Sequence, residues 1–385
     1  SVAHYYQRAS SADYLGVDPT RRSLTGTGGY VKVGRKGNAK WNFSETFTWS
    51  SPGFDLNDMG YMKETDYLMN ETEIMYRQTD IWKIFRYNAF TLSQKNMWNY
   101  GGTPFSNNAS LRWQSMTMNR YEWDVKETFA WNWLDSRLLR GGPDVRFGSY
   151  FLTSAKFNTD KAKRMMFMLK YEGDHNFEGN RFNTISPSLT FRLGNHVYLS
   201  GQLDYAWNTD EMQYVAKTRP LSSSSLTPYY YVMGHMDQKT YGLTLKLQVN
   251  VTPDISIQFY GAPFTSIAKY DDFKLAADTK SHTFENRFLR IDPDHLTYAD
   301  GVYTIGEGAG QMPFRNPDFR FNEFRSNLVA RWEYLPGSTL YFVWEHRMSN
   351  RDNWYSPGWG SNLDRMWGLP ATNTFMIKMN YWFNL

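Results

Sequence analysis

The 385-residue sequence contains no cysteine. Disulfides, thiolate metal centres and cysteine nucleophiles are therefore excluded, and a chain without thiols suits passage through an oxidising periplasm. Long apolar runs are missing as well. The longest uncharged, apolar-rich stretches are short, such as Thr339 to Trp344, whereas a spanning helix needs about 20 consecutive apolar residues. Charge of one sign is nowhere concentrated: 42 basic and 38 acidic residues are mixed along the chain for a net charge of +4. That excludes the basic field on which nucleic-acid binding depends, so no nucleic-acid partner is expected. The start, Ser1-Val2-Ala3-His4, is not a basic flank followed by an apolar core, so a processed or partial chain is expected rather than one carrying a signal peptide.

What the chain has in quantity is aromatic side chains: 26 Phe, 15 Trp and 27 Tyr, 18% of all residues. That content rules out a disordered chain. At roughly 150 residues per domain the length allows two or three domains, or one large β-architecture.

Alternation at period two decides between these. Tyr241, Leu243, Leu245, Leu247 and Val249 alternate with Thr240, Thr244, Lys246, Gln248 and Asn250; after Val251-Thr252-Pro253-Asp254, Ile255, Ile257 and Phe259 alternate with Ser256, Gln258 and Tyr260. The same pattern recurs over residues 188–193, 197–205, 327–334 and 339–347. A soluble β-sandwich buries its apolar face, whereas a transmembrane barrel turns that face to lipid and lines its lumen with the polar one. Three features favour the barrel. The runs cover about 9–13 residues, enough for a tilted strand to cross a bilayer. Aromatics such as Trp41, Trp49, Trp123, Trp131, Trp133, Trp207, Tyr334 and Trp344 gather at run ends, as interfacial girdles do. Connections also alternate between short ones (35–38, 79–80, 119–120, 159–162, 194–195, 252–254, 335–337) and long ones (51–67, 99–105, 134–145, 173–184, 209–237, 264–320, 349–371).

Seven short turns flank fourteen strands. A first strand near Val2–Arg8 and a last at Thr374–Leu385 bring the count to about sixteen, within the range 14–18. The expectation is a single all-β domain over 1–385: a transmembrane antiparallel up-and-down β-barrel with short periplasmic turns, long extracellular loops and periplasmic termini. The long segment 264–320 is expected outside the cell or folded inward, where it narrows the channel. Phe375, Ile377, Met379, Tyr381, Phe383 and Leu385 alternate to the end of the sequence, and Tyr381, Phe383 and Leu385 read as the assembly signal of the outer-membrane insertion machinery.

Charges on the polar parity mark the expected lumen lining: Lys170, Arg192, Asp204, Lys246, Arg325, Arg331, Glu333, Glu345, Arg347 and Lys378. A cation on the lipid face would cost about 2–4 kcal/mol at midplane, so their common parity carries information. Glu45 and Glu127 fall on the apolar parity and call for a bulge, interfacial depth or a protein neighbour. The seven histidines (His4, His175, His196, His235, His282, His295, His346) share no metal-ligand spacing. The carboxylates Asp271, Asp272, Asp292, Asp294 and Asp300 do not follow the ordered calcium-loop pattern, and Gly306, Gly308 and Gly310 neither follow a strand nor open a helix as a nucleotide loop does. No nucleophile motif is present. No catalytic, cofactor or metal site is expected, and the protein is not expected to be an enzyme.

Four strings resemble an uncharacterised family of Bacteroidota outer-membrane β-barrel proteins. They are Asn316-Pro317-Asp318-Phe319-Arg320-Phe321-Asn322-Glu323 running on to Leu335-Pro336-Gly337-Ser338-Thr339-Leu340, then Ser51 to Met62, Ala12 to Asp18, and Asp254 to Phe264. Members of that family usually carry an N-terminal carbohydrate-binding-module-like β-sandwich before the barrel, and that module is absent from this sequence. The resemblance implies an outer-membrane location and an association with glycans, and no catalytic residues. The functional expectation is a passive channel or uptake-associated barrel for glycan or solute handling; the alternative is a non-conducting structural subunit of a larger complex for secretion, lipoprotein export or barrel assembly. Expected partners are outer-membrane lipid and lipopolysaccharide, the barrel-assembly machinery during insertion, and other outer-membrane proteins or surface lipoproteins. No cofactor is expected.

Overall fold

The computed structural model describes residues 20, 22–56, 62, 65–131, 133–135, 137–222, 228–353 and 358–383. Its strands, in chain order, are β1 (Gly28–Arg35), β2 (Trp41–Ser50), β3 (Tyr67–Gln78), β4 (Phe85–Trp98), β5 (Pro104–Thr117), β6 (Glu122–Trp131), β7 (Trp133–Asp135), β8 (Val145–Phe147), β9 (Tyr150–Asn158), β10 (Met165–Asn176) and β11 (Arg181–Leu193). They continue as β12 (Val197–Thr218), β13 (Tyr230–Asn250), β14 (Ile255–Ala276), β15 (Phe288–Arg290), β16 (Leu296–Ala299), β17 (Val302–Ile305), β18 (Met312–Arg315), β19 (Phe319–Leu335), β20 (Ser338–Asp352) and β21 (Thr372–Asn380); one helix, α1 (Trp359–Trp367), precedes β21.

Fifteen strands follow one path, β1 to β6, β9 to β14 and β19 to β21, each beside its neighbour in sequence; β15 joins β14 as a sixteenth member of the sheet. The neighbouring pairs are antiparallel, as the hairpin connections require. β7 pairs with β8 apart from this sheet, and β16 to β18 form a small sheet of their own. Among the described residues β1 and β21 are the two edges of the large sheet. The strand expected at Val2–Arg8 lies outside the described residues.

The seven short connections all stand at one end of the sheet, at 36–40, 79–84, 118–121, 159–164, 194–196, 251–254 and 336–337. Pro336-Gly337 makes the tightest: Pro has no N–H to donate to a ladder, and Gly337 sits at φ 78°, a conformation glycine adopts without strain. At the opposite, loop end, several expected loops prove to be strand. β10 and β11 run through most of 173–184, β12 and β13 take up most of 209–237, and β14 continues to Ala276, so the long connection is 277–318 rather than 264–320. Bulges in β12 between Asp210 and Gln213 and again between Tyr214 and Ala216 shift its parity, which erases the period-two pattern there. The last strand likewise covers Thr372–Asn380 rather than Thr374–Leu385.

Alternation along the strands has an inverted sense. On β2, Trp41 and Phe43 are 59% and 53% exposed, while Asn42 and Ser44 between them are buried. Phe90 and Leu92 are exposed beside buried Thr91, Leu111 beside buried Ser110, Phe129 beside buried Thr128, and Leu189 beside buried Thr190. Leu245 and Phe342 are each 40% exposed rather than packed into a dry centre.

Above the short-turn half, the elongated ends of β12, β13 and β14 are covered on both sides. On the polar-parity face Val232, Met236, Ala268 and Tyr270 pack with Phe273, Ile305 and Phe314, so the β16–β18 sheet lies against that face. On the opposite face Met212 and Met233 pack with Leu139, Val145 and Phe288. A buried ion pair ties this second layer together. Arg287, 1% exposed, donates to both oxygens of Glu178 at 2.8 and 2.9 Å and to the carbonyls of Arg146, Ser281 and His282, and Glu178 also accepts from the Gly148 amide.

On the apolar face, α1 packs against β14, β19 and β20. Trp359 stacks on Tyr241, which stacks on Tyr205, and Trp367 meets the edge of Phe324. Beneath the helix lie Thr265, Asn322 and Arg320, all buried, with Thr265 donating to Asn322 and Arg320 donating to Asp352. α1 thus shelters the first polar row beyond the apolar band.

Replacing Arg287 by Met strands the Glu178 carboxylate, and breaking a buried pair in this way costs about 3–5 kcal/mol. The expected outcome is faster hydrogen exchange and protease cutting in 279–290 and 139–148, with the strands toward the short turns still protected.

Candidate functional site

The polar-parity face, the one expected to line a lumen, is densely hydrogen-bonded. Along β5, β6 and their neighbours it carries a hydrogen-bonded ladder: the Arg112 guanidinium donates to both oxygens of Asp124, Gln114 donates to the same carboxylate, and the Ser93 and Ser110 hydroxyls are 2.7 Å apart. Farther round, Ser186 and Gln202 donate to Asp204 at 2.6 and 2.9 Å. Asn208 donates to Gln238, and Gln238 in turn donates to Ser266. Each bond joins residues on the same face of adjacent or next-nearest positions, as strand parity dictates.

The sequence-derived lining residues divide by their partners. Lys170 pairs with Glu172 at 2.8 Å, Arg331 pairs with Glu333 at 2.5 Å, and Arg325 and Arg347 share Glu323 at 2.9 Å each. Asp204 belongs to the network above, and Arg192 donates to the Lys161 carbonyl near the short turns. Lys246, Glu345 and Lys378 stand on the same parity with no recorded side-chain partner among the described residues. Sequence reading missed Glu71, Glu73, Lys95, Arg112, Asp124, Lys126 and Lys156, which the register places on this face of β3, β4, β5, β6 and β9. For Glu73, Arg112, Asp124, Lys126 and Lys156 the signal was available, since each is next to an outward Ile, Leu, Trp, Val or Phe on its own strand; Glu71 and Lys95 are flanked by Asn70, Thr72, Gln94 and Asn96 and lack it.

Around Lys246 the lining opens into a recess of about 320 Å³ walled by Tyr198, Lys246, Gln248, Gln258, Tyr260 and Asn327. A second recess of about 280 Å³ adjoins it toward the short turns and includes Arg192, Asn195, His196 and Asn250. The Asn327 carbonyl oxygen is buried there without a donor. This stretch differs from the ladder of β5 and β6. Among the described residues, the side chains of Tyr198, Gln248, Gln258 and Tyr260 have no hydrogen bonds to one another, whereas the Asn250 amide donates to the Asn195 carbonyl.

Other sequence-derived positions are not drawn into the lining. Tyr381 and Phe383 lie past the end of β21 with their rings in contact, and Leu385 is outside the described residues. Glu45 and Glu127 both point to the apolar face, Glu127 accepting from Thr153 at 2.7 Å. His235 pairs with Glu211 and Asp237, and His295 stands beside Asp292. Among the described residues no three His, Asp or Glu side chains are grouped to hold a metal ion.

At the loop end, above the apolar band, two carboxylates on the lining face are held above the ordinary aspartate value of 3.8 by burial, Asp174 and the more deeply placed Asp210. Asp210 accepts the Met212 amide and faces Glu211, Lys274 and His235 as well as Asp174. A carboxylate whose pKa is raised by folding binds its proton more tightly in the folded chain, so stability falls as pH rises through the raised value. The loop end should therefore gain stability on acidification from neutral pH and level off below about 3.8. Asp210→Asn should raise its stability at neutral pH and flatten this slope, read as local hydrogen exchange at neutral and mildly acidic pH.

No curated protein and no solved structure matches the chain. The family model described as Domain of unknown function (DUF5916) matches residues 4–385, nearly the whole sequence, and the chain belongs to that family.

Proposed function

We propose that this protein is an outer-membrane β-barrel, of the Bacteroidota kind that its sequence resembles, forming a passive channel for small hydroxylated solutes such as sugars. The reading rests on the inverted faces: Phe43, Phe90, Leu111 and Phe342 are exposed on one face, while Ser44, Thr91 and Ser110 are buried on the other. Water gives such a sheet no reason to fold, and acyl chains do. The connections support it: every one at one end is short, while the opposite end carries all the long ones beside the short 99–103 and 177–180, and these barrels keep short turns toward the periplasm. Outer-membrane lipid and lipopolysaccharide would cover the apolar face, the barrel-assembly machinery would insert it, and other outer-membrane proteins or surface lipoproteins would neighbour it.

Within the channel, the β16–β18 sheet acts as a fixed constriction. It is held to β13 and β14 by the Val232, Met236, Tyr270, Ile305 and Phe314 cluster, and is tied to the end of β12 by the Thr218 hydroxyl, which donates to the Pro313 carbonyl at 2.8 Å. Near the short turns, Tyr198 and Tyr260 expose ring faces among Gln248, Gln258 and Asn327. Rings bind the C–H faces of a sugar and amides bind its hydroxyls.

Planar-bilayer recording of the purified chain tests the reading. Open conductance is expected, rising on the order of twofold when 292–315 is replaced by a short Gly-Ser linker. Lys246→Glu should shift selectivity toward cations. A silent, membrane-embedded barrel would replace the channel by the structural-subunit alternative.

A further inference from the structure

The apolar face carries polar side chains midway up at two places, the mutually bonded Glu127 and Thr153 on β6 and β9 and a larger patch on β2 to β5. Glu45, Thr72 and Gln94 stand directly opposite one another on β2, β3 and β4, and in the next row toward the loop end Asn70, Asn96 and Asn107 do the same on β3, β4 and β5. The row on the short-turn side holds Phe43, Ile74, Leu92 and Leu111, and the row on the loop side holds Trp49, Leu68 and Trp98. The six polar side chains therefore lie midway up the wall, inside the aromatic margins. None of them has a side-chain hydrogen bond or ion pair among the described residues. Glu127, the other outward carboxylate, has its own partner in Thr153.

On the outer-membrane barrel reading, on which this inference rests, these groups face hydrocarbon that offers no donor or acceptor. Whatever covers them must supply both. We propose that this patch on β2–β5 is the interface of a homodimer in the membrane plane. An amide is donor and acceptor at once, so a row of amides complements itself. Two copies inserted by the same route share one orientation, which puts the two-fold axis along the membrane normal. An axis between β3 and β4 keeps each row at its own height and reverses the strand order. Asn70 is then set against the partner's Asn96, and Thr72 against the partner's Gln94, each pair occurring twice. Glu45 comes to face Ala109 of the partner's β5, with the partner's Asn107 one row nearer the loop end.

The absence of native cysteine makes single cysteines clean reporters. In isolated membranes treated with a short bis-maleimide, which spans the gap between facing walls, Asn96→Cys should give a covalent dimer, while Leu247→Cys on the outward face of β13 should not. A triple variant, Asn70→Leu with Gln94→Leu and Asn96→Leu, keeps an apolar wall and should be monomeric by light scattering in detergent where the parent is dimeric. A monomeric parent, an Asn96→Cys chain that joins a different protein, equal cross-linking from Leu247→Cys, or a triple variant that stays dimeric each overturns the proposal. Membrane residence is scored separately by alkaline extraction. A monomer that resists extraction overturns the dimer and leaves the barrel standing, whereas a chain released by alkali overturns the barrel and the dimer with it.

Discussion

Everything in this structure depends on one constraint: a continuous antiparallel ladder with most of its large apolar side chains on one face. Fifteen strands pair in sequence order, so their backbone groups satisfy one another without help from outside. Side chains then have to settle which face meets which medium. Phe43, Leu92, Leu111 and Phe342 are exposed, and the face opposite holds Asn42, Ser44, Ser110 and Thr128, too small and too polar to make a dry core. In water such a sheet would gain nothing from the hydrophobic effect on its greasy side and little on its polar one. Covering the greasy face with hydrocarbon restores the missing term, and the serines and threonines then let the polar side chains approach and bond across strands.

At the loop end the same strands obey a different rule. β12, β13 and β14 continue past the apolar band and acquire a layer on each side, the β16–β18 sheet on one and the 137–147 and 279–288 segments on the other. A strand buried on both faces has no reason to alternate. Ordinary globular packing thus sits on top of an inverted wall, and it brings with it the devices of globular cores: a fully engaged guanidinium at Arg287, methionines filling irregular gaps at Met212 and Met233, and bulges that re-aim side chains.

This division explains what was legible in the sequence. Where one face is apolar and the other polar, the period-two signal gave strand positions, turn positions and the parity of Lys170, Arg192, Asp204, Lys246 and Arg331. Beyond Trp207 and before Lys239 the signal fades, because Val232 and Met233 are buried in two different clusters and the bulges at Asp210 and Tyr214 break the count. The loop length was overestimated for that reason. α1 was invisible for another: nine residues with two tryptophans at the ends carry too short a pattern to separate from a polar loop, and its place is fixed by Tyr241 and Phe324, which are remote in sequence. The charged ladder of β3 to β6 was legible by parity yet passed over, since those strands contain the polar outward residues Thr72, Gln94 and Asn96 that blur the contrast between faces.

The distribution of satisfied and unsatisfied polar groups carries the last step. Arg112 with Asp124, Asp204 with Ser186 and Gln202, and Glu323 with Arg325 and Arg347 use their hydrogen-bonding capacity on one another, so in the proposed channel those parts of the polar face would offer a solute little beyond their net field. Gln248, Gln258 and Asn327 around Lys246 keep theirs, on a wall where two tyrosine rings are also exposed. Burying a polar group without a partner is costly. The wall carries that cost on both faces, at the side-chain oxygens of Asn327 beside the Lys246 recess and of Asn70 in the amide row of β3 and β4, and on the proposed reading it is the accessible amides around each that a solute or a second copy would engage.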